Sequence, residues 1–266
     1  VRVRRQHEGQ MLVLLLDEVD GLLLFDLGNQ MRLFRVLRAL SQEGLCRFVF
    51  CGERQLHASL HDPDSPLFNF CNAIRLSYLA PRDALRMIQE PMAAMGITFE
   101  PAEVPQDIVE LSSCHPNLVQ AICKLLIARI NARSDRVITA EDLKQVRASD
   151  EFREFYFEVT WGNATPLERL ITLVMAGAPD FGPAEVKQAL DARGCTPSPT
   201  EIAAALEGLV LFSILRKQGQ RYAFAARSFG DILAESNMGE MFIENLLERL
   251  AAGAGEGSAV ARFGAS

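Results

Sequence analysis

Two adjacent acids, Asp17 and Glu18, follow directly on a short apolar run, Met11 to Leu16 (MLVLLL). A continuous apolar run stopped by acids fits a strand buried on both faces of a parallel sheet, although periodicity alone does not exclude a helix. In open α/β sheets ligands collect at the carboxyl ends of the strands, so carboxylates there are placed for chemistry. An aspartate can hold magnesium, usually through a water, because that hard cation keeps several waters and takes few protein ligands. A glutamate beside it can orient and polarise the water that attacks a γ-phosphate, while the metal neutralises the developing charge. The bland alternative is that two acids simply end a strand.

The elements around these acids favour the sheet. Gly28 to Leu40 (GNQMRLFRVLRAL) places Met31, Leu33, Phe34, Leu37 and Leu40 at helical spacing, and Arg47 to Cys51 (RFVFC) is a second short apolar run, ending at Gly52, Glu53 and Arg54. The order strand, helix, strand predicts an α/β core with a parallel sheet. A polar stretch with prolines, His61 to Pro66, leads to a third expected strand, Ala73 to Tyr78. Beyond Leu79 the pattern predicts an all-helical region, with helices over 81–90, 105–112, 116–131 and 139–146; Pro81 suits a first helical turn, and Thr139 with Asp142 nearly matches a capping box. A connecting helix is expected within 148–163. Three further helices, over 166–175, 183–192 and 199–209, precede two β-like runs, Phe212 to Leu215 and Tyr222 to Ala225, which together predict a winged-helix shape. The Gly/Ala/Ser-rich end reads as a flexible tail. The division expected is thus 1–79 partial nucleotide-binding core, 80–148 helical lid, 149–250 linker helix and winged helix, and 251–266 tail.

Composition bounds the function classes. Across 266 residues, 49% are hydrophobic and 23% charged, which predicts an ordinary globular chain. A net charge of -7 argues against a broadly basic surface for nucleic acid. Six cysteines show no CxxC pair and read as reduced thiols of a cytoplasmic protein. No apolar run reaches the roughly 18 residues a membrane span requires. The chain starts at Val1 and runs quickly into a strand, which suggests the middle of a longer protein.

Taken in order, these segments resemble the later part of a STAND-type or related AAA+ P-loop ATPase, from about Met11 to Ser228. MLVLLLDEVD resembles a Walker B strand, FVFCGERQL a sensor 1 strand, APRDALRMIQEPM the start of a helical lid, and SSCHPNLVQAI a GxP-type motif that reaches the adenine. The resemblance implies ATP and magnesium as cofactors, Asp17 as the magnesium-associated acid, Glu18 as the catalytic base, Arg54 as the sensor 1 arginine, and His115 and Pro116 as nucleotide-binding, with Pro116 packed on the base. It also implies ATP hydrolysis in the complete protein and a change of shape with nucleotide state, in contact with a protein partner or another copy.

The chain departs from that family in three places. No GxxxxGK[ST] occurs, and none of the lysines, Lys124, Lys144, Lys187 and Lys217, follows a glycine. Without that backbone cradle the phosphates lack their strong ligand, so the chain alone is expected not to hydrolyse ATP, and the missing strand and loop are expected upstream of Val1. Cys114 replaces the glycine of the GxP-type motif. No arginine lies between His61 and Cys71, where ring-forming relatives often carry a finger, and Arg75 sits in the expected third strand instead, which favours a signalling switch over a ring-shaped remodeller.

Alternatives remain open. A winged helix often binds DNA, and Arg216, Lys217 and Arg221 in the wing are the residues that would do so. Against this, the third helix (TEIAAALEGL) has two acids and no basic or amide side chain for base edges, and 162–250 carries a net charge of -3, so DNA is not the expected partner. A catalytically inactive scaffold is the third reading. His57 and His61, four apart with Asp62 and Asp64 near, match metal-ligand spacing but read equally as a solvated helix end. The aromatic group Phe152, Phe155, Tyr156, Phe157 and Trp161 is expected to pack between lid and winged helix.

Overall fold

The computed structural model describes residues 11–226, 228–236 and 239–260. The chain forms two compact units, one ending at Leu76 and one beginning at Ser77.

In the first unit, strand β1 (Leu12–Leu16) leads to helices α1 (Val19–Leu27) and α2 (Arg32–Gln42), then to β2 (Cys46–Phe50) and α3 (Arg54–His61). The strands pair in parallel, Leu12 opposite Cys46 through Leu16 opposite Phe50. Helix α1 was not evident from spacing, because VDGLLLFDL is apolar nearly all round and carries Gly21. A small core gathers Val19, Leu23, Met31, Phe34, Leu56 and Leu67. Asp26, itself buried, closes the start of α2: its carboxylate accepts hydrogen bonds from the amides of Leu33 (3.1 Å) and Phe34 (3.0 Å). An acid at that place satisfies two orphan donors and meets the positive end of the helix.

Two expectations fail here. Ala73–Tyr78 is not a strand, and Arg75 therefore lies in no sheet; its guanidinium sits 3.1 Å from His57 Nε2. Strand geometry needs a paired neighbour, and none of these residues belongs to a sheet, with Ile74 and Leu76 88% and 89% exposed. Nor is β1 buried on both faces: Leu12, Val13, Leu14 and Leu15 are all exposed. A parallel sheet is normally covered on both faces, and a two-stranded one is too narrow to shield its own apolar residues.

The second unit is mostly helical: α4 (Pro81–Ala94), α5 (Val104–Ser112), α6 (Pro116–Ala132), α7 (Ala140–Ala148) and α8 (Asp150–Trp161). It is not all-helical as expected, since β3 (Thr98–Glu100) and β4 (Val137–Thr139) pair in parallel. Short β-branched stretches fill the gaps where α4 and α6 stop, and buried Ile97 and Ile138 carry them into the core. Three helices follow, α9 (Pro166–Val174), α10 (Pro183–Asp191) and α11 (Pro199–Leu211), then an antiparallel pair, β5 (Leu215–Gln218) and β6 (Arg221–Phe224). β5 begins later than its apolar pattern suggested because α11 runs to Leu211 and Ser213 takes a positive φ of 59° in the turn beyond it. Gly219, with φ 60°, supplies the left-handed residue that a tight hairpin needs.

Helices α12 (Phe229–Ser236) and α13 (Gly239–Val260) follow. α13 packs on α9 and extends through Val260, into the stretch expected as a tail; 261–266 lie outside the described residues. One continuous core runs from Ala84 to Leu246. Among the described residues no helix is long and apolar enough to cross a membrane.

Candidate functional site

The parallel register of β1 and β2 brings Asp17 and Glu18 to the same strand edge as Cys51, Gly52, Glu53 and Arg54. The ladder continues past the strands: Cys51 N donates to Leu16 O (2.8 Å) and Val19 N to Cys51 O (3.0 Å). Asp17 and Glu18 are both exposed, and the Glu18 amide donates to Asp17 Oδ1 (3.0 Å). Glu18 takes φ 51° and ψ 41°, a left-handed conformation that a non-glycine residue enters at a cost of about 1–2 kcal/mol. Strain of this kind concentrates where a side chain must be aimed. The first turn of α1 then starts at Val19, so the two carboxylates stand at a turn between strand and helix.

This donor set fits a magnesium ion. Two adjacent, exposed carboxylates offer hard oxygen ligands and leave most of the coordination sphere to water, as that ion prefers. Among the described residues no group of three or more His, Cys, Asp and Glu is placed to hold a metal, so the spacing of His57 and His61 builds no cage; their rings meet edge to face at 4.6 Å.

A third acid, Asp20, belongs to the same edge. Its Oδ2 accepts from Glu53 N and its Oδ1 from Gln55 N, both at 2.6 Å, so it caps α3 from outside that helix. Arg54, half-buried, is the first residue of α3 and lies between the two amides. The only sequence sign of this role was a further acid two residues after Glu18.

In the second unit, His115 and Pro116 begin α6. His115 Nδ1 accepts from Asn117 N (3.2 Å), and the ring meets Tyr78 edge to face at 5.0 Å. Burial holds His115 below its ordinary pKa and pushes the Tyr78 hydroxyl up to about 12. The neutral imidazole thus carries its proton on Nε2 as a donor. Cys114 has φ 64°, so the backbone keeps a left-handed turn at the position where the resembling motif has glycine. Replacing it tests this: Cys114→Gly is expected to raise stability by about 1 kcal/mol, read as a higher urea midpoint with unchanged slope.

The three wing cations differ in their surroundings. Arg221 is bound to Asp180 and Glu185, while Glu185 also accepts from Gly182 N (3.1 Å) at the start of α10. Lys217 Nζ lies over the Tyr222 ring at 5.5 Å, and Arg216 is exposed on β5. Arg221 is thereby committed to holding the hairpin against α10.

No family model and no curated protein matches the chain. Among solved structures it is similar to the Walker-type ATPase PABY2304 of Pyrococcus abyssi, at 14% identity and a TM-score of 0.60, over 84% of this chain and 63% of that one. It is also similar to the ORC2 protein of Aeropyrum pernix, solved as ADPNP and ADP complexes, at 13% identity and a TM-score of 0.53, over 92% of this chain and 67% of that one. The chain therefore spans less than two thirds of the length of the first of these proteins. At such identities the likeness speaks for the fold alone: this chain has a P-loop NTPase-like fold, mostly helical with small parallel sheets.

Proposed function

We propose that this chain carries the metal and water half of an ATP-handling site, within a STAND-type switch whose shape follows its nucleotide state. The observation that supports it best is the parallel register of β1 and β2, which sets Asp17 and Glu18 beside the turn leading into Arg54. On this reading Asp17 would hold magnesium through a water, and the metal so held would supply charge neutralisation at the phosphates. Glu18, strained into its left-handed turn, orients the attacking water and takes its proton. Arg54 meets the γ-phosphate. In the second unit, His115 and Pro116 are nucleotide-binding residues in this reading, with His115 Nε2–H as a hydrogen-bond donor.

The phosphate cradle comes from outside these residues, since no GxxxxGK[ST] is present. The exposed Leu12, Val13, Leu14 and Leu15 of β1 support this, because in a parallel sheet of this kind both faces are normally covered. The three helices and hairpin form a winged helix in this reading. Its acidic α11 and the pairing of Arg221 with Asp180 and Glu185 favour a protein contact over DNA.

The test uses the full chain. With Mg·ATP, phosphate release is expected to stay at background, while Mn²⁺ in place of Mg²⁺ broadens the amide signals of Asp17 and Glu18, an effect lost in Asp17→Asn. Signals at 17–18 indifferent to Mn²⁺ would falsify the assignment, whereas turnover that vanishes on Glu18→Gln would support Glu18 as the base and overturn the expectation that the phosphate cradle lies outside these residues. Duplex binding that weakens with salt and with charge reversal at Lys217 would instead support a DNA contact through the wing.

A further inference from the structure

We propose that Asp20 is a positioning residue: it latches the first turn of α3 to the first turn of α1, just beyond β1, and so fixes Arg54 relative to Asp17 and Glu18. The inference rests on the nucleotide reading for the purpose of the latch, and on geometry for its existence. The two carboxylate oxygens of Asp20 are shared out, Oδ2 to Glu53 N and Oδ1 to Gln55 N, each at 2.6 Å. These amides flank Arg54 and belong to the opening turn of α3, whose donors have no partner within the helix. A charged acceptor makes both bonds stronger than neutral ones, and it also meets the positive end of the helix.

Gly52 shows how closely the latch is built. A Cβ there would overlap Asp20 Oδ2 and lie 2.9 Å from both Val19 Cγ2 and Leu56 Cβ, so any side chain would force the carboxylate or the helix aside. The neighbouring peptide is held as well, through Cys51 N to Leu16 O and Val19 N to Cys51 O. Arg54 is therefore carried on backbone tied to β1 and α1 on both sides of it. A loop tethered only by its covalent ends would leave the guanidinium free to wander by more than a phosphoryl contact tolerates. The sequence DEVD thus divides its acids: Asp17 and Glu18 are exposed to solvent, and Asp20 turns to the element that bears the arginine.

The experiment uses Mn²⁺ alone as the probe on the full chain. In the unsubstituted protein the amides of Glu53 and Gln55 are expected to exchange slowly with solvent, and Mn²⁺ held at Asp17 and Glu18 is expected to broaden the Arg54 Nε–H signal. In Asp20→Ala, exchange at 53 and 55 is expected to speed up by about tenfold. Broadening at 17–18 stays, while that at Arg54 Nε–H falls several-fold. Gly52→Ala perturbs the latch from its other side and is expected to give the same pattern. Asp20→Asn, which keeps one acceptor oxygen, restores part of it and serves where the alanine variant does not fold. A purely structural cap would change exchange and leave the Arg54 broadening as it was, and that result overturns the proposal. Absence of broadening at 17–18 in the unsubstituted protein overturns the metal assignment instead. The latch is then judged by the Arg54 Nε–H chemical shift, and an identical shift with and without the Asp20 carboxylate overturns it.

Discussion

Trp161→Ala is expected to lower the stability of the unit beginning at Ser77 by about 3–5 kcal/mol, the range for deleting a large buried aromatic. Trp161 lies at the end of α8 with only 7% of its surface exposed. Its ring stacks on Phe157 at 4.8 Å and meets Phe242 and Phe229 edge to face at 5.5 and 6.0 Å. The indole N–H donates to Thr172 Oγ1 (2.9 Å), on a hydroxyl that is fully buried and donates in turn to Arg169 O (2.7 Å). One side chain thus joins α8 to α9, α12 and α13. Truncation leaves a cavity, removes several aromatic contacts and takes away one partner of a buried hydroxyl. Against a total of about 5–15 kcal/mol for a typical domain, such a loss brings unfolding into the range of mild denaturant. Urea unfolding followed by amide signals of the unit beginning at Ser77 should give one shared transition in the unsubstituted protein, because that unit's core is continuous from Ala84 to Leu246. Separate transitions for the α4–α7 and α9–α11 regions would contradict this. Trp161→Phe, which keeps most of the ring, should lose much less.

The aromatic spacing in DEFREFYFEVTW was readable as packing before any coordinates, and so were most helix starts. Prolines at 81, 116, 166, 183 and 199 each occupy a first helical position, where the missing N–H costs nothing. The capping boxes Thr165 with Glu168 and Ser198 with Glu201 add local signals that act within three residues. What was not legible depends on partners far away in the chain. Asp20 reads as a third surface acid until α3, more than thirty positions on, turns its amides toward it. Asp26 caps α2 across a turn in which Gln30 and Met31 adopt positive φ, which neither residue type announces. Ala73–Tyr78 has the composition of a strand, yet pairing is a property of neighbours and not of the segment. The acids Asp17 and Glu18 were legible because strand termination and chemical use share one local pattern, whereas the conformational strain at Glu18 was not. The same holds at Cys114, where substitution for glycine concealed a turn that the backbone nevertheless keeps.

Asp142→Asn is expected to cost about 2 kcal/mol at neutral pH and to flatten the acid side of the stability profile. The carboxylate is buried, at 5% side-chain exposure, at the third position of α7. It forms a bidentate pair with Arg133, in which Nη2 lies 2.8 Å from Oδ2, and it accepts from the Thr139 amide (2.9 Å) and hydroxyl (2.8 Å). Arg133 in turn donates to Val137 O (2.7 Å), so this acid gathers the end of α6, strand β4 and the start of α7 into one network. The Arg133 guanidinium first, then the Thr139 donors, hold the Asp142 carboxyl well below the usual carboxylate range, against the opposing effect of burial. A depressed native pKa means that the unfolded chain binds the proton more readily. The stabilisation is then complete above the unfolded value near 4 and drains away as pH falls below it toward the native pKa. Arg133 is itself partly exposed, so solvent screening keeps the cost near that of the lost charged hydrogen bonds and below that of a fully buried ion pair. Other paired acids, including Asp135 and Glu240, titrate over the same window in both proteins. The informative quantity is therefore the gap between the two urea midpoints, which should be widest near pH 7 and shrink by pH 3. A gap that stays constant between those two pH values would show that Asp142 works by shape alone, with its charge contributing nothing to the junction of α6, β4 and α7.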